Sequence, residues 1–237
     1  MNKRYWWVII TYVIMQLSGI VGGPLFYFLF PIDKTQAIVY YTIFSFIAGV
    51  VVFLLLMRPE MKQGSDKDAS PLGSTILWMV AGVFMAIFAQ GIAGYIEQNI
   101  LGISSQSENT QNILEIARAF PMFTIIPALF APILEEILFR KIIFGGLYVR
   151  TNFWIAALVS SLIFAIIHMD PTHLLVYASM GITFAYLYVK TKRIIVPIAV
   201  HMGMNTAVVL TQLLLKPEDL ERIQKNMNFI WLQFIGG

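Results

Sequence analysis

Seven long apolar runs constrain the fold of this chain more than any other feature of its sequence. A hydrocarbon core of about 30 Å needs roughly 20 helical residues to cross it, and most of the runs approach or exceed that length. The predicted membrane helices cover residues 5–30, 37–57, 75–95, 120–149, 153–169, 174–188 and 194–215. The sequence therefore predicts an all-α fold, a polytopic membrane helix bundle with about seven transmembrane helices.

The composition agrees with a membrane protein and excludes several other classes. Hydrophobic residues make up 58% of the chain and charged residues 12%, whereas soluble domains average about half and a quarter. The sequence contains no cysteine, which excludes a disulfide framework, a thiolate nucleophile and cysteine-ligated zinc. The net charge of +3 comes from basic residues scattered between apolar runs, so we expect membrane lipid as a partner and no nucleic acid.

The short loops predict the orientation of the bundle, because cytoplasmic loops carry an excess of Lys and Arg. The alternate connections 31–36, 97–112 and 170–173 contain a single Lys between them. Basic residues concentrate at the other helix ends, at Lys3, Arg4, Arg58, Lys62, Lys67, Arg150, Lys190, Lys192 and Arg193. We therefore predict a multi-pass protein of the cell membrane with a cytoplasmic N terminus.

The predicted helices divide the chain into three segments. Residues 1–119 hold the first three membrane helices and an outer loop, and residues 120–215 hold helices four to seven. The tail, 216–237, has apolar residues every three or four positions with charges between them, as in an amphipathic helix that lies along a membrane interface.

Ionisable residues inside membrane helices are costly and point to function. The fourth run places Glu135, Glu136 and Arg140 within two helical turns. Glu136 and Arg140 share a face as an i, i+4 pair, whereas Glu135 points to a neighbouring face. We expect Arg140 to neutralise Glu136 and to leave Glu135 free to exchange protons.

Two histidines and an asparagine in later runs lie at depths that tilted helices can bring to Glu135. His168 ends the fifth run, and His201 and Asn205 lie one turn apart in the seventh. Together these side chains could activate water against a carbonyl group. Glu135 would be the base, a histidine would orient the water or protonate the leaving amine, and His201 with Asn205 would donate to the oxyanion.

Each feature alone also has a purely structural interpretation. A Glu–Arg pair in a membrane helix is often an ion pair or part of a proton path, and a single histidine often forms a helix-packing hydrogen bond. His173, in the turn 170–173, is expected to be exposed. A solvated face is expected for the charged residues in or beside the outer loop, Glu97, Glu108, Glu115 and Arg118.

The ordered motifs Glu135-Glu136-x-x-x-Arg140, Phe164-x-x-x-His168 and His201-x-x-x-Asn205 resemble the CPBP family of intramembrane proteases, also called CAAX-protease and bacteriocin-processing or Abi proteins. The resemblance covers about residues 120–215. It implies four catalytic membrane helices around a cytoplasm-facing cavity.

The same resemblance implies roles for the motif residues. Glu135 would activate water together with His168, while His201 and Asn205 would form the oxyanion site and Glu136 and Arg140 would support them. Relatives mature secreted signalling peptides, give self-immunity to bacteriocins or trim prenylated C termini. The expected substrate is a membrane-associated peptide or protein.

Two questions stay open at this stage. Glu135, His168 and His201 could bind zinc with an open fourth position, but Glu136 would then be the one remaining base, so metal-independent water activation is favoured. A different class of function is a non-catalytic membrane peptide-binding or bacteriocin-immunity protein, or a transporter, whose pocket holds a peptide or an ion.

Overall fold

A computed structural model describes residues 2–62, 67–104 and 107–214, and every regular element in these ranges is a helix. The α-helices are α1 (Lys3–Leu29), α2 (Lys34–Lys62), α3 (Leu72–Asn99), α4 (Glu108–Ala119), α5 (Ala131–Glu136), α6 (Gly145–Tyr148), α7 (Phe153–Ile167), α8 (Leu174–Thr191) and α9 (Ile195–Leu214). The all-α prediction is confirmed. The tail 216–237, predicted to form an interfacial helix, lies outside the described residues.

The helices form a polytopic membrane bundle. Five helical segments are long and apolar enough to cross a membrane: α1, α2, α3, the segment Pro121–Tyr148 and the segment Pro171–Thr191. Two further apolar helices are shorter, namely α7 and the stretch Ile195–Thr211 of α9. All seven predicted apolar runs therefore form helices.

The segment Pro121–Tyr148, here called the composite helix, changes its hydrogen-bonding pattern four times. A 3-10 turn (Pro121–Thr124) is followed by a π-helix (Ile126–Phe130), α5, a second π-helix (Ile137–Phe144) and α6. Proline lacks the amide hydrogen that a regular ladder needs, so the prolines at its beginning favour such shifts. The α5 turn that carries Glu135 and Glu136 thus lies between two π-helical segments, which are frequent at functional sites.

Helix α4 was not predicted, because residues 97–112 were interpreted as an outer loop. In the structure α3 continues to Asn99, and α4 begins after Ser107, whose hydroxyl accepts a hydrogen bond from the Thr110 amide. Glu108 in the first turn and Arg118 in the last turn suit the helix dipole. The apolar face of α4 buries Leu114 and Ala117 against the bundle, and their spacing of three residues is the helical signal that the loop interpretation missed.

Close contact between α7 and α8 depends on a glycine. A Cβ atom at Gly181 would lie 3.0 Å from the Cα atom of Ser161 and 2.5 Å from its Oγ. Gly181→Val is therefore expected to lower the free energy of unfolding by about 1 to 3 kcal/mol through overpacking. Thermal unfolding in detergent measures this, with Gly19→Val as the matched control, because a Cβ at Gly19 meets no atom within 4 Å. Equal melting of the two variants would contradict the packing.

Candidate active site

The four residues predicted to act in catalysis line one cavity of about 410 Å³: Glu135, His168, His201 and Asn205. They come from three separate helical segments, the composite helix, the end of α7 and α9. The close packing of α3 on α8 and α9, and of α7 on α8, fixes these segments relative to one another. The structure therefore gathers the motif residues around a space large enough for part of a peptide.

Glu135 is the carboxylate that faces the cavity. Its side chain is 14% exposed, whereas that of the adjacent Glu136 is completely buried. One carboxylate oxygen of Glu135, Oε2, lies 3.8 Å from Nε2 of His201. Glu135 can therefore exchange a proton with a molecule in the cavity, and Glu136 cannot.

Glu136 is held by two partners. Arg140 Nε lies 3.0 Å from Glu136 Oε2, which is the ion pair expected from the i, i+4 spacing. His201 Nδ1 lies 2.9 Å from Glu136 Oε1, a contact between distant helices that the sequence did not indicate. Because a carboxylate oxygen accepts, the Nδ1–H of His201 donates to Glu136 and turns Nε2 toward Glu135 and the cavity.

Arg140 has no exposed surface, and its guanidinium is surrounded by aromatic rings. Its Cζ atom lies 4.8 Å from the ring centre of Phe164, 5.5 Å from that of Phe184 and 5.9 Å from that of Phe139. These faces attract a cation, and Glu136 supplies the opposite charge. Arg140 is therefore a buried structural cation beside the cavity.

The ring of His168 has a defined tautomer. Its Nδ1 lies 2.8 Å from the carbonyl oxygen of Phe164, one turn earlier in the chain. Since a carbonyl oxygen can only accept, Nδ1 carries the hydrogen, and Nε2 of the neutral ring keeps a lone pair. The ring also packs against Tyr177, with ring centres 4.3 Å apart. His168 therefore offers a hydrogen-bond acceptor in a fixed orientation.

Asn205 lines the cavity and also stabilises the composite helix. Its Nδ2 donates to the carbonyl oxygen of Pro127 at 3.0 Å. The amide of Ala131 donates to the carbonyl oxygen of Ile126 and not to that of Pro127. The next residue, Pro132, has no amide hydrogen that it could donate to the Pro127 carbonyl. The side chain of Asn205 replaces the missing donor. The second hydrogen of its amide group is not used in this bond and can serve a ligand in the cavity.

No group of three or more His, Cys, Asp or Glu side chains among residues 2–62, 67–104 and 107–214 is arranged to hold a metal ion. The zinc alternative requires Glu135, His168 and His201 to converge as ligands. Glu135 Oε2 and His201 Nε2 are 3.8 Å apart, and His168 lines the same cavity.

One buried polar pair at the cavity was not predicted from the sequence. Glu97 and His173, which were expected to be solvated, are 2% and 7% exposed. His173 Nδ1 lies 3.0 Å from Glu97 Oε2, and Glu97 Oε1 accepts from the amides of Leu175 and Val176 at 2.8 and 3.2 Å. The carboxylate on α3 thus caps the N terminus of α8. These two contacts span 78 and 79 residues of sequence, so no local pattern reveals them. The exposure predicted for Glu108, Glu115 and Arg118 is confirmed.

The first three helices also contribute to the cavity, although their sequences carried no motif. Tyr12 and Gln16 of α1, Thr42 of α2 and Gln90 of α3 are part of its lining. Tyr12 is almost fully buried. The segment 1–119 therefore forms part of the site.

The position of the cavity bears on two predictions about orientation, one from the loop charges and one from the family resemblance. Three residues of the cavity lining are exposed: Gln16 in the middle of α1, and Ser104 and Met169 beyond the ends of α3 and α7. The loop charges assign these connections to the outer side, whereas the resemblance implies a cytoplasm-facing cavity. The two predictions, a cytoplasmic N terminus and a cytoplasm-facing cavity, therefore differ on which membrane face these connections occupy.

Comparisons with known proteins identify similar membrane peptidases. Residues 117–207 match the family model described as Type II CAAX prenyl endopeptidase Rce1-like. The chain is 48% identical to "Putative membrane peptidase YdiL" of Bacillus subtilis, over 100% of this chain and 99% of the relative. It is 35% identical to "Membrane-embedded CAAX protease MroQ" of Staphylococcus aureus, over 98% and 99%. No solved structure matches the chain.

Proposed function

The chain belongs to the CPBP family of membrane-embedded CAAX-type proteases, and on that basis we propose that it is an intramembrane endopeptidase. Its substrate is a membrane-associated peptide or protein, such as a secreted signalling peptide, a bacteriocin precursor or a CAAX-like C terminus. One observation carries the proposal: of two adjacent carboxylates, Glu135 faces the cavity, whereas Glu136 is buried and paired with Arg140.

Glu135 and His168 hold the attacking water. Both offer acceptors, the carboxylate oxygens of Glu135 and the Nε2 lone pair of His168, so one water molecule can donate a hydrogen bond to each. A water held in this way directs its own lone pair into the cavity. As its oxygen attacks the peptide carbonyl carbon, the proton passes to Glu135, which then returns it to the leaving nitrogen when the C–N bond breaks.

His201 and Asn205 stabilise the oxyanion. In this role Nε2 of His201, which faces Glu135 and the cavity, donates a hydrogen bond to the oxyanion, while Nδ1–H stays bonded to Glu136. The free amide hydrogen of Asn205 is the second donor. Donors fixed in advance favour the transition state, because they need no rearrangement when charge develops.

The proposed role of His201 predicts a specific kinetic change. In His201→Ala, we expect kcat to fall by about 10² to 10³, with KM almost unchanged, because an oxyanion donor acts mainly in the transition state. Michaelis–Menten analysis with a cleaved peptide measures both constants. A raised KM with unchanged kcat would instead make His201 a substrate-binding residue. Thermal unfolding of the variant reports separately on the lost contact with Glu136.

We propose that water activation does not depend on a metal ion. What supports this is that Glu136, the base that a zinc site would leave, is already held by Arg140 and His201.

A non-catalytic peptide-binding or bacteriocin-immunity protein, or a transporter, is the alternative. Incubation of the purified protein with a library of short membrane-associated peptides, analysed by mass spectrometry, distinguishes the classes. The protease proposal expects defined cleavage products with the wild type and intact peptides with Glu135→Gln. Peptides that bind to both proteins and are cleaved by neither would favour the alternative.

A further inference from the structure

Contacts between helix ends define the two ends of the bundle. At one end, Arg4 at the start of α1 pairs with Glu60 near the end of α2 at 3.1 Å, and Ser70 N, before α3, donates to the Thr191 carbonyl at 3.0 Å. We call this the basic end. At the opposite end, Ser107 before α4 donates to Asp170 after α7 at 2.6 Å. We call this the cavity end, because the cavity reaches the surface there.

Basic side chains are distributed very unequally between the ends. Of the described Lys and Arg residues, the cavity end holds two, Lys34 and Arg118, and Arg140 is buried inside the bundle. All others lie at the basic end, namely Lys3, Arg4, Arg58, Lys62, Lys67, Lys141, Arg150, Lys190, Lys192 and Arg193. Such an asymmetry in short loops determines membrane orientation, with the richer end in the cytoplasm.

Most of the cavity lies in the other half of the bundle, and its deepest lining residues, Tyr12, Glu135 and His201, lie toward the middle of their helices. Its lining from α1 begins at Tyr12, its lining from α9 begins at His201, and its lining from α3 begins at Gln90. No stretch from the basic end of these helices contributes. Two of the three exposed lining residues, Ser104 and Met169, lie in connections of the cavity end, and the third, Gln16, lies in the middle of α1.

From these two observations we infer that the active-site cavity opens at the outer face of the membrane and takes a peptide segment located there. The inference rests on the proposed function. The substrate class is then an exported peptide, or the outer portion of a membrane protein, rather than a C terminus displayed in the cytoplasm. The orientation replaces the cytoplasm-facing cavity that the family resemblance implied.

The absence of cysteine from the sequence allows a direct test. Single cysteines are introduced at exposed positions of the cavity end, by Asn112→Cys and Glu115→Cys, and of the basic end, by Lys3→Cys and Arg150→Cys. None of these residues belongs to the proposed catalytic set. Intact cells are treated with a membrane-impermeant maleimide, and a second sample is permeabilised before labelling.

The inference expects Asn112→Cys and Glu115→Cys to react in intact cells, and Lys3→Cys and Arg150→Cys to react only after permeabilisation. Any other pattern overturns it, including the reverse pattern or equal labelling of both ends. Two positions at each end keep the test valid if one variant fails to fold. Labelling does not require activity, so a failed peptidase assay and a failed topology assay are distinguishable.

Discussion

Glu135→Gln is expected to lower kcat for peptide cleavage by at least about 10² to 10⁴ while the protein folds normally. Gln keeps the shape and most of the hydrogen bonding of Glu135 but cannot take a proton from water. The side chain faces the cavity, and its nearest ionic contact, with His201, is 3.8 Å long. The substitution therefore removes the base without breaking a tight buried ion pair.

The matched control is Glu115→Gln, which makes the same chemical change on the exposed face of α4. It should leave both cleavage and melting temperature unchanged. Peptide cleavage by mass spectrometry and thermal unfolding in detergent are measured on the same preparations. Full activity of Glu135→Gln would disprove the proposed mechanism.

Arg140→Met is expected to lower the free energy of unfolding by about 3 to 5 kcal/mol, because it leaves the buried Glu136 carboxylate without its cation. Glu136→Gln should have a similar effect, since the guanidinium then lies uncompensated among aromatic rings. Both side chains are fully buried. Thermal unfolding and the yield of folded protein in detergent measure the loss.

A double variant, Glu136→Gln with Arg140→Met, separates charge from packing. It should recover part of the lost stability, because no unpaired charge remains. Lys192→Ala is the exposed control: its 2.9 Å pair with Asp68 lies at the surface, so we expect less than about 1 kcal/mol. If the buried variants melt like the wild type but do not cleave peptides, Glu136 is a catalytic residue and not a structural one.

The sequence allowed much of the core of the site to be predicted. Helical spacing is local, so the pairing of Glu136 with Arg140 and the divergence of Glu135 follow from residue numbers alone. The apolar runs likewise predicted the helices, because their length is set by the membrane. The prediction that His168 and His201 lie near Glu135 depended on the order of the motifs as well as on the rise per residue of a helix.

Other features depend on contacts that no local pattern encodes. The cap that Glu97 gives to α8 and the bond from His201 to Glu136 join residues more than 60 positions apart. The donation from Asn205 to Pro127 depends on a shift in the hydrogen-bonding register that a regular helix would not have. The short helix α4 had a local signal that was missed: Ser107 is a typical N-cap residue, and Ile113, Leu114 and Ala117 recur at helical spacing.

Peptide cleavage by metal-free protein tests the central claim most directly. Wild type and Glu135→Gln are treated at length with 1,10-phenanthroline, shown by elemental analysis to contain no zinc, and assayed side by side with a peptide that the wild type cleaves. Water activation by Glu135 predicts unchanged cleavage by the treated wild type and none by the variant. Stoichiometric zinc in the untreated protein, with activity lost on treatment and restored by added zinc, would contradict it and would make Glu135, His168 and His201 ligands.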